Sequence, residues 1–157
     1  MDRRDFCVKV LCSSMAAGCL ASLSSAESAA GSKKLKWHKN LRAAHKLALE
    51  ADKPLLIVFS ASWCQPCKRL ERETLSDERV IAAIERQFIP VHLDIDVDTK
   101  VAKILEVELV PCTVVLSPEA DLLQKSTGFA DPKGYLKILK ASLERHAAIQ
   151  QVQVQEP

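Results

Sequence analysis

The chain has 157 residues, 48% of them hydrophobic and 27% charged, which is enough for one buried core but not for two of similar size. Its formal net charge of +2 comes from basic and acidic residues scattered along the whole length. No phosphate-binding surface follows from that pattern, and nucleic acid is not expected as a partner.

Residues 1–30 differ in composition from the rest. Met1-Asp2-Arg3-Arg4-Asp5-Phe6 leads into small and apolar residues as far as Ala30, the pattern of an export signal rather than of a folded element. The paired arginines followed by Phe6 look like a twin-arginine signal, with Val8 and Lys9 one place later than the usual spacing; Sec export is the alternative. The apolar stretch from Val8 to Leu23 is interrupted by Lys9, Ser13, Ser14 and Gly18, short of the roughly 20 apolar residues of a spanning helix. Ser24-Ser25-Ala26 and Ser28-Ala29-Ala30 both resemble signal-peptidase sites. Ala16-Ala17-Gly18-Cys19 resembles a degenerate lipobox, which makes Cys19 a candidate lipid anchor; otherwise Cys7, Cys12 and Cys19 are small apolar residues of a discarded segment. The expectation is an exported, periplasmic protein that keeps Cys64, Cys67 and Cys112. One pair plus one is too few for a disulfide-stapled fold or for four zinc thiolates, so no metal is expected.

A linker at 31–36 precedes a domain read over 37–148. Apolar residues at Trp37, Leu41, Ala44, Leu47, Ala48 and Ala51 have helical spacing, ended before Pro54. Leu55 to Phe59 is a continuous apolar run of strand length, as in a strand covered on both faces. Cys64 to about Glu73 reads as a helix, and Asp77 caps another through Phe88. A strand at Ile89 to Ile95 and a short helix at Thr99 to Glu106 follow. Cys112 to Leu116 and Leu122 to Thr127 read as a hairpin. Asp131-Pro132 starts a helix that runs to His146, and residues 149–157 read as a disordered tail. Crossover helices in the first half demand parallel pairing and the hairpin adds antiparallel strands. The fold class is α/β, with a mixed central sheet covered by helices on both faces.

Chemistry concentrates in Trp63-Cys64-Gln65-Pro66-Cys67. A Cys-x-x-Cys at the first turn of a helix is reactive because orphan N–H groups and the helix dipole stabilise a thiolate there. Cys64 is then the exposed nucleophile. Cys67, about one turn along, attacks a mixed disulfide formed at Cys64 and is the resolving thiol. A solitary structural disulfide, a metal half-site and two unreactive thiols are the alternatives. A metal lacks a second ligand pair, and no His follows Cys67 as haem attachment requires.

Phe59-Ser60-Ala61-Ser62-Trp63-Cys64-Gln65-Pro66-Cys67-Lys68 resembles the active-site segment of the thioredoxin superfamily, and Val110-Pro111 is the second mark of that family. The resemblance covers about residues 37 to 146. It implies a thioredoxin fold, a cis Pro111 facing the cysteines, and a Val110 backbone that pairs with an extended client chain. It also implies thiol–disulfide oxidoreductase activity in which the Cys64–Cys67 disulfide is the redox group and no separate cofactor is used. Glu73-Thr74-Leu75-Ser76-Asp77-Glu78-Arg79-Val80, followed by a strand ending in Asp94, is similar to the periplasmic C-terminal domain of the reductant conductor DsbD and its single-domain relatives; no partner is assigned from it.

Two positions depart from the family. Val58 stands where thioredoxins carry a buried Asp that helps deprotonate the resolving thiol, leaving water or Glu71 for that task. Cys112 follows Pro111 where thioredoxins usually have Thr; it reads as a buried strand residue, with an alternative disulfide or metal contact as the other option. Gln65-Pro66 resembles the Gly-Pro of thioredoxins more than the Pro-His of the oxidant DsbA, which favours a reductase of client-protein disulfides over an oxidase or isomerase. A reductase in an oxidising compartment needs a membrane thiol electron donor. A binding module with inert cysteines is the alternative of another class. Trp63 is expected to shield the disulfide and meet clients, and Trp37 to anchor the first helix. Asp94, Asp96 and Asp98 read as a solvated strand end and a helix cap rather than a cation site, and His38, His45, His92 and His146 as surface or packing residues.

Overall fold

The structure is a computed structural model and describes residues 34–155. The export signal with Cys7, Cys12 and Cys19, the first part of the linker and the last two residues lie outside the described residues. No helix among the described residues is long and apolar enough to cross a membrane.

The first helix, α1, spans Leu41–Ala51 and not the segment from Trp37. Asn40 is its cap, accepting a hydrogen bond from the Ala43 N–H at 3.0 Å, and this stops the helix one turn short of Trp37. Residues before the cap are extended instead. The His38 N–H donates to the Pro90 carbonyl and the His92 N–H to the His38 carbonyl, so this stretch lies along the sheet edge. Trp37 packs its ring against His92 at 5.5 Å rather than on the helix.

Strand β1 (Leu55–Ser60) is buried along its whole length. It pairs in parallel with β2 (Ile89–Asp94) and antiparallel with β3 (Cys112–Leu116), which in turn pairs antiparallel with β4 (Leu122–Thr127). The sheet order among the described residues is β2-β1-β3-β4, so the apolar run sits centrally and the sheet is mixed. Pro90, which cannot donate to a ladder, is tolerated because β2 is an edge strand.

Alternation along β1 assigns the layers. Leu56 and Val58 share a core with Leu70 of α2 (Gln65–Glu73), Val80 and Ile84 of α3 (Glu78–Gln87), and Tyr135 of α5 (Pro132–Gln155). Leu55, Ile57 and Phe59 face Ala44 and Ala48 of α1 and Ala102 of α4 (Thr99–Ile104). Helices therefore cover both faces, as the thioredoxin fold requires. Helix α5 continues past His146 to Gln155, because Ala, Gln and Val follow with no Gly or Pro to stop it. Gln150 also donates to the Asp52 carboxylate at the end of α1. The helix thus enters the stretch read as a disordered tail.

Asp77 caps α3 by accepting from the Arg79 N–H, and the Arg79 guanidinium donates to the same carboxylate at 2.8 and 3.0 Å. Those guanidinium bonds lower the Asp77 pKa from 3.8 to about 2. A carboxyl depressed in the folded state adds stability above its unfolded pKa and loses it as the pH falls through the folded one. Asp77→Ala is expected to lower stability by about 1 kcal/mol at neutral pH, read by urea unfolding, with the difference from the native chain closing as the pH approaches about 2. Asp77→Asn keeps the cap acceptor but not the charge, so it is expected to recover the cap's share of the loss while still lacking the pH-dependent share.

Candidate active site at the start of α2

After Ser60 the chain turns, with the Cys64 N–H donating to the Ala61 carbonyl at 3.1 Å, and α2 begins. Cys64 is the cap residue of this helix, with extended φ and ψ of −81° and 104°. Its Sγ accepts a hydrogen bond from the Cys67 N–H at 3.2 Å. Pro66 lies in the first turn, where its missing N–H costs the helix nothing. Cys64 and Cys67 form a disulfide with Cα atoms 5.3 Å apart.

Both cysteines are buried, Cys64 at 3% exposure and Cys67 at 2%. This corrects the expectation of an exposed Cys64: Ala61, Ile95 and Val110 pack against the pair and leave it almost no surface. Gln65 and Pro66 are exposed beside it.

The peptide bond between Val110 and Pro111 is cis. Val110 packs on the disulfide cluster and Pro111 is buried. Among the described residues the Val110 backbone makes no backbone hydrogen bond, so an N–H and a carbonyl stand free next to the redox pair. Trp63 is 65% exposed, and its Nε1–H donates to Asp96 Oδ2 at 2.9 Å. The ring is thus tethered from the loop after β2. Asp94 Oδ1 accepts from the Asp96 N–H and Asp98 Oδ2 from the Asp94 N–H. Asp98 sits at the cap position of α4 but makes no side-chain cap bond, because its carboxylate is turned back to Asp94.

Val58 is buried on the α2 face of the sheet, in a core shared with Leu70 and Tyr135 and across from Thr113 of β3. Glu71 is turned to His92, whose Nε2 lies 3.2 Å from Glu71 Oε1 and 3.2 Å from Ser60 Oγ. Cys112 is free and buried, and burial raises its thiol pKa. It packs in the core on the α1 face, outside the cluster around the disulfide, and Thr127 Oγ1 donates to its sulfur at 3.8 Å. Of the dispersed histidines, His45 Nε2 meets the Pro118 carbonyl at 2.8 Å and His146 is buried. Among the described residues no three His, Cys, Asp or Glu side chains converge to hold a metal ion. A cavity of about 470 Å³ lined by Trp37, Glu71, Leu75, Ile81 and His92 takes in neither Cys64 nor Cys67.

Ile95, Ala61 and Asp96 belong to the site as well; Ala61 lies within the active-site-like segment with no role of its own assigned there, and the other two carry no sequence motif. Ile95 and Ala61 pack against the sulfurs and Asp96 holds Trp63. Only the alternation of Asp94, Asp96 and Asp98 marked that loop, and it marked the loop's acidity rather than this bond.

Known proteins resemble this chain in sequence and in fold. The chain is similar to the thioredoxin-related protein DsbJ of Chlamydia pneumoniae, 27% identical over 139 residues that make up 81% of this chain and 40% of that protein. It is also similar to the mitochondrial thioredoxin of Bos taurus, 32% identical over 83 residues covering 53% of this chain and 48% of the relative. The chain therefore spans less than half the length of these two curated relatives. A thioredoxin from Thermus thermophilus superposes with a TM-score of 0.69 at 21% identity, covering 79% of this chain and 98% of that one, which shows the shared fold. The family model described as thioredoxin-like matches residues 36–118, more than half of the sequence and inclusive of both cysteines and Pro111, and the chain belongs to the thioredoxin-like family.

Proposed function

We propose that this protein is a thiol–disulfide oxidoreductase that reduces disulfides in exported client proteins through Cys64 and Cys67. The observation that carries this reading is the Cys64–Cys67 disulfide at the first turn of α2, beside an unpaired Val110 backbone. In the reduced protein the Cys64 thiolate attacks one client sulfur, and the other client sulfur leaves as a thiolate and takes up a proton. Cys67 then loses its proton and attacks Cys64 Sγ. The first client sulfur departs as a thiol, two electrons have passed to the client, and the Cys64–Cys67 disulfide has formed.

Each neighbour has a task in this scheme. Val110 and Pro111 present a strand edge to the client chain, in the manner of β-addition. Trp63 supplies exposed apolar surface, and its bond to Asp96 limits the freedom it would otherwise lose on binding. Gln65 and Pro66 tune the potential of the pair, and the likeness of this dipeptide to that of thioredoxins supports reduction as the direction. The apolar Val58 offers no carboxylate to the resolving thiol, which supports slow release of the mixed disulfide. Cys112, buried in another core, stays out of the exchange. Residues 1–30 serve as the export signal, Cys19 is the candidate lipid attachment point, and a membrane thiol protein returns the pair to the dithiol. The redox pair replaces any separate cofactor.

The reduction potential of the Cys64–Cys67 pair, taken with Cys112→Ser as a control, is expected near thioredoxin's value of about −270 mV; a value near DsbA's, about −120 mV, would make the protein a disulfide donor instead. A pair that does not titrate, with Cys64 inert to alkylation in the reduced protein, would support the binding-module alternative. Cys67→Ser is expected to trap the client as a mixed disulfide at Cys64, seen as a thiol-sensitive adduct by mass spectrometry, whereas Cys64→Ser forms none. Val58→Asp is expected to speed release of the client while lowering stability by about 1–3 kcal/mol for the buried carboxyl; an unchanged release rate would argue against a proton-transfer limit.

A further inference from the structure

The loop that carries Val110 joins α4 to β3 and has no strand or helix of its own. Its two ends are nevertheless held by the same edge strand. At the far end the Gly128 N–H, just after β4, donates to the Pro111 carbonyl at 2.7 Å. At the near end Lys125, in the middle of β4, extends its ammonium to the Leu105 carbonyl at 3.1 Å and to the Glu106 carbonyl at 2.5 Å.

The near end is an elaborated helix stop. The Val107 N–H donates to the Ala102 carbonyl and the Glu106 N–H to the Lys103 carbonyl, the bond pattern by which a helix closes through one left-handed residue. That residue is Glu106, with φ of +53° and no glycine to ease it. The stop leaves carbonyl groups at the negative end of the α4 dipole in need of donors. Lys125 supplies them from a different element, as a half-buried cation facing two carbonyls. Val107 is buried behind this clamp, and Leu109 then emerges at 68% exposure next to Val110. The side chains of Lys103, Glu106 and Glu108 line the same groove as Lys125, so both signs of charge surround the ammonium there.

We propose that Lys125 is a positioning residue for client capture: by holding the Leu105 and Glu106 carbonyls to β4 it sets where the Val110 backbone stands beside the Cys64–Cys67 disulfide. The inference rests on the reading that clients pair with Val110. Lys125 touches neither sulfur nor client, and acts only through the loop. Its removal therefore alters capture of an extended protein chain and not the exchange chemistry of the pair with a small dithiol.

The test compares the native protein with Lys125→Met, which keeps the stem and loses the donors, and Lys125→Arg, which keeps a cation. Reduction of insulin driven by dithiothreitol gives KM and kcat for a protein disulfide. Direct reduction of the Cys64–Cys67 disulfide by dithiothreitol alone, followed by tryptophan fluorescence, gives the exchange rate. Loss of the two charge-assisted hydrogen bonds is expected to raise KM on the order of tenfold in Lys125→Met, with kcat and the dithiothreitol rate unchanged. Amide exchange of Val107 to Leu109 should quicken in the same variant, and Lys125→Arg should recover most of the KM. An unchanged KM in Lys125→Met, or a KM rise matched by an equal fall in the dithiothreitol rate, would overturn the positioning role. Inactivity of the native protein towards both insulin and dithiothreitol would overturn the oxidoreductase reading, and this inference with it.

Discussion

Everything in the site hangs on how α2 begins. A helix leaves its first N–H groups without partners, and the cap side chain is what usually meets one of them. Here that side chain is a cysteine, and its Sγ takes the Cys67 N–H at 3.2 Å. Pro66 removes one of the other orphans by having no N–H at all. A disulfide sulfur is a weak acceptor, so the helix end is poorly served in the oxidised protein and better served when Cys64 carries a negative charge. The capping of a nine-residue helix and the oxidation state of the pair are thus one local equilibrium.

That helix start is placed by β1, and β1 is fixed by burial on both faces. Leu56 and Val58 belong to one core and Leu55, Ile57 and Phe59 to the other, so a slip of one residue would exchange the two sets. The strand delivers the cysteines to its C-terminal end, where a third, small cluster of Ala61, Cys64 and Cys67 forms with Ile95 and Val110. Two loops flank it. The one after β2 reaches Trp63 through Asp96, and the one after α4 brings in Val110. Both connections are thereby pinned beside the redox pair at one end of the sheet.

Much of this was legible in the order of residues because it depends on local signals. The run from Leu55 to Phe59 marks a central strand through its own apolarity, and Asp77 marks the start of α3 through its own side chain. Cys64-Gln65-Pro66-Cys67 marks a helix start because proline and a capping residue have few other uses together. Trp37 misled because its spacing to Leu41 matches a helix, while the decision lay with Asn40 and with a pairing partner more than fifty residues away, Pro90. The tail misled in the other direction: lack of apolar period says a helix has no face to bury, but not that Ala and Gln will leave a helix already running. Asp96 and Lys125 were not legible, since a charged side chain in a sequence gives no sign of which distant indole or carbonyl it will meet. Burial of Cys64 was likewise set by residues from three separate segments.

The same surroundings bear on the direction of electron flow. A dithiol pair is a strong oxidant when its reduced form is stabilised, and contacts that favour the thiolate do this most directly. Among the described residues Cys64 Sγ has one hydrogen-bond donor, the Cys67 N–H, and its packing neighbours are the apolar Ala61, Ile95 and Val110. Apolar surroundings favour the uncharged disulfide over a thiolate, whereas the helix N-terminus favours the thiolate. Near-complete burial stands on the first side of this balance and one amide on the second. A pair that prefers its disulfide gives its electrons away readily, so the apolar packing supports the proposed reductase direction alongside the likeness of Gln65-Pro66 to the dipeptide of thioredoxins. Of the exposed basic residues along α2, Arg69 and Arg72 are bound to Glu73 at 2.9 Å and face solvent with it, which weakens their pull on a thiolate.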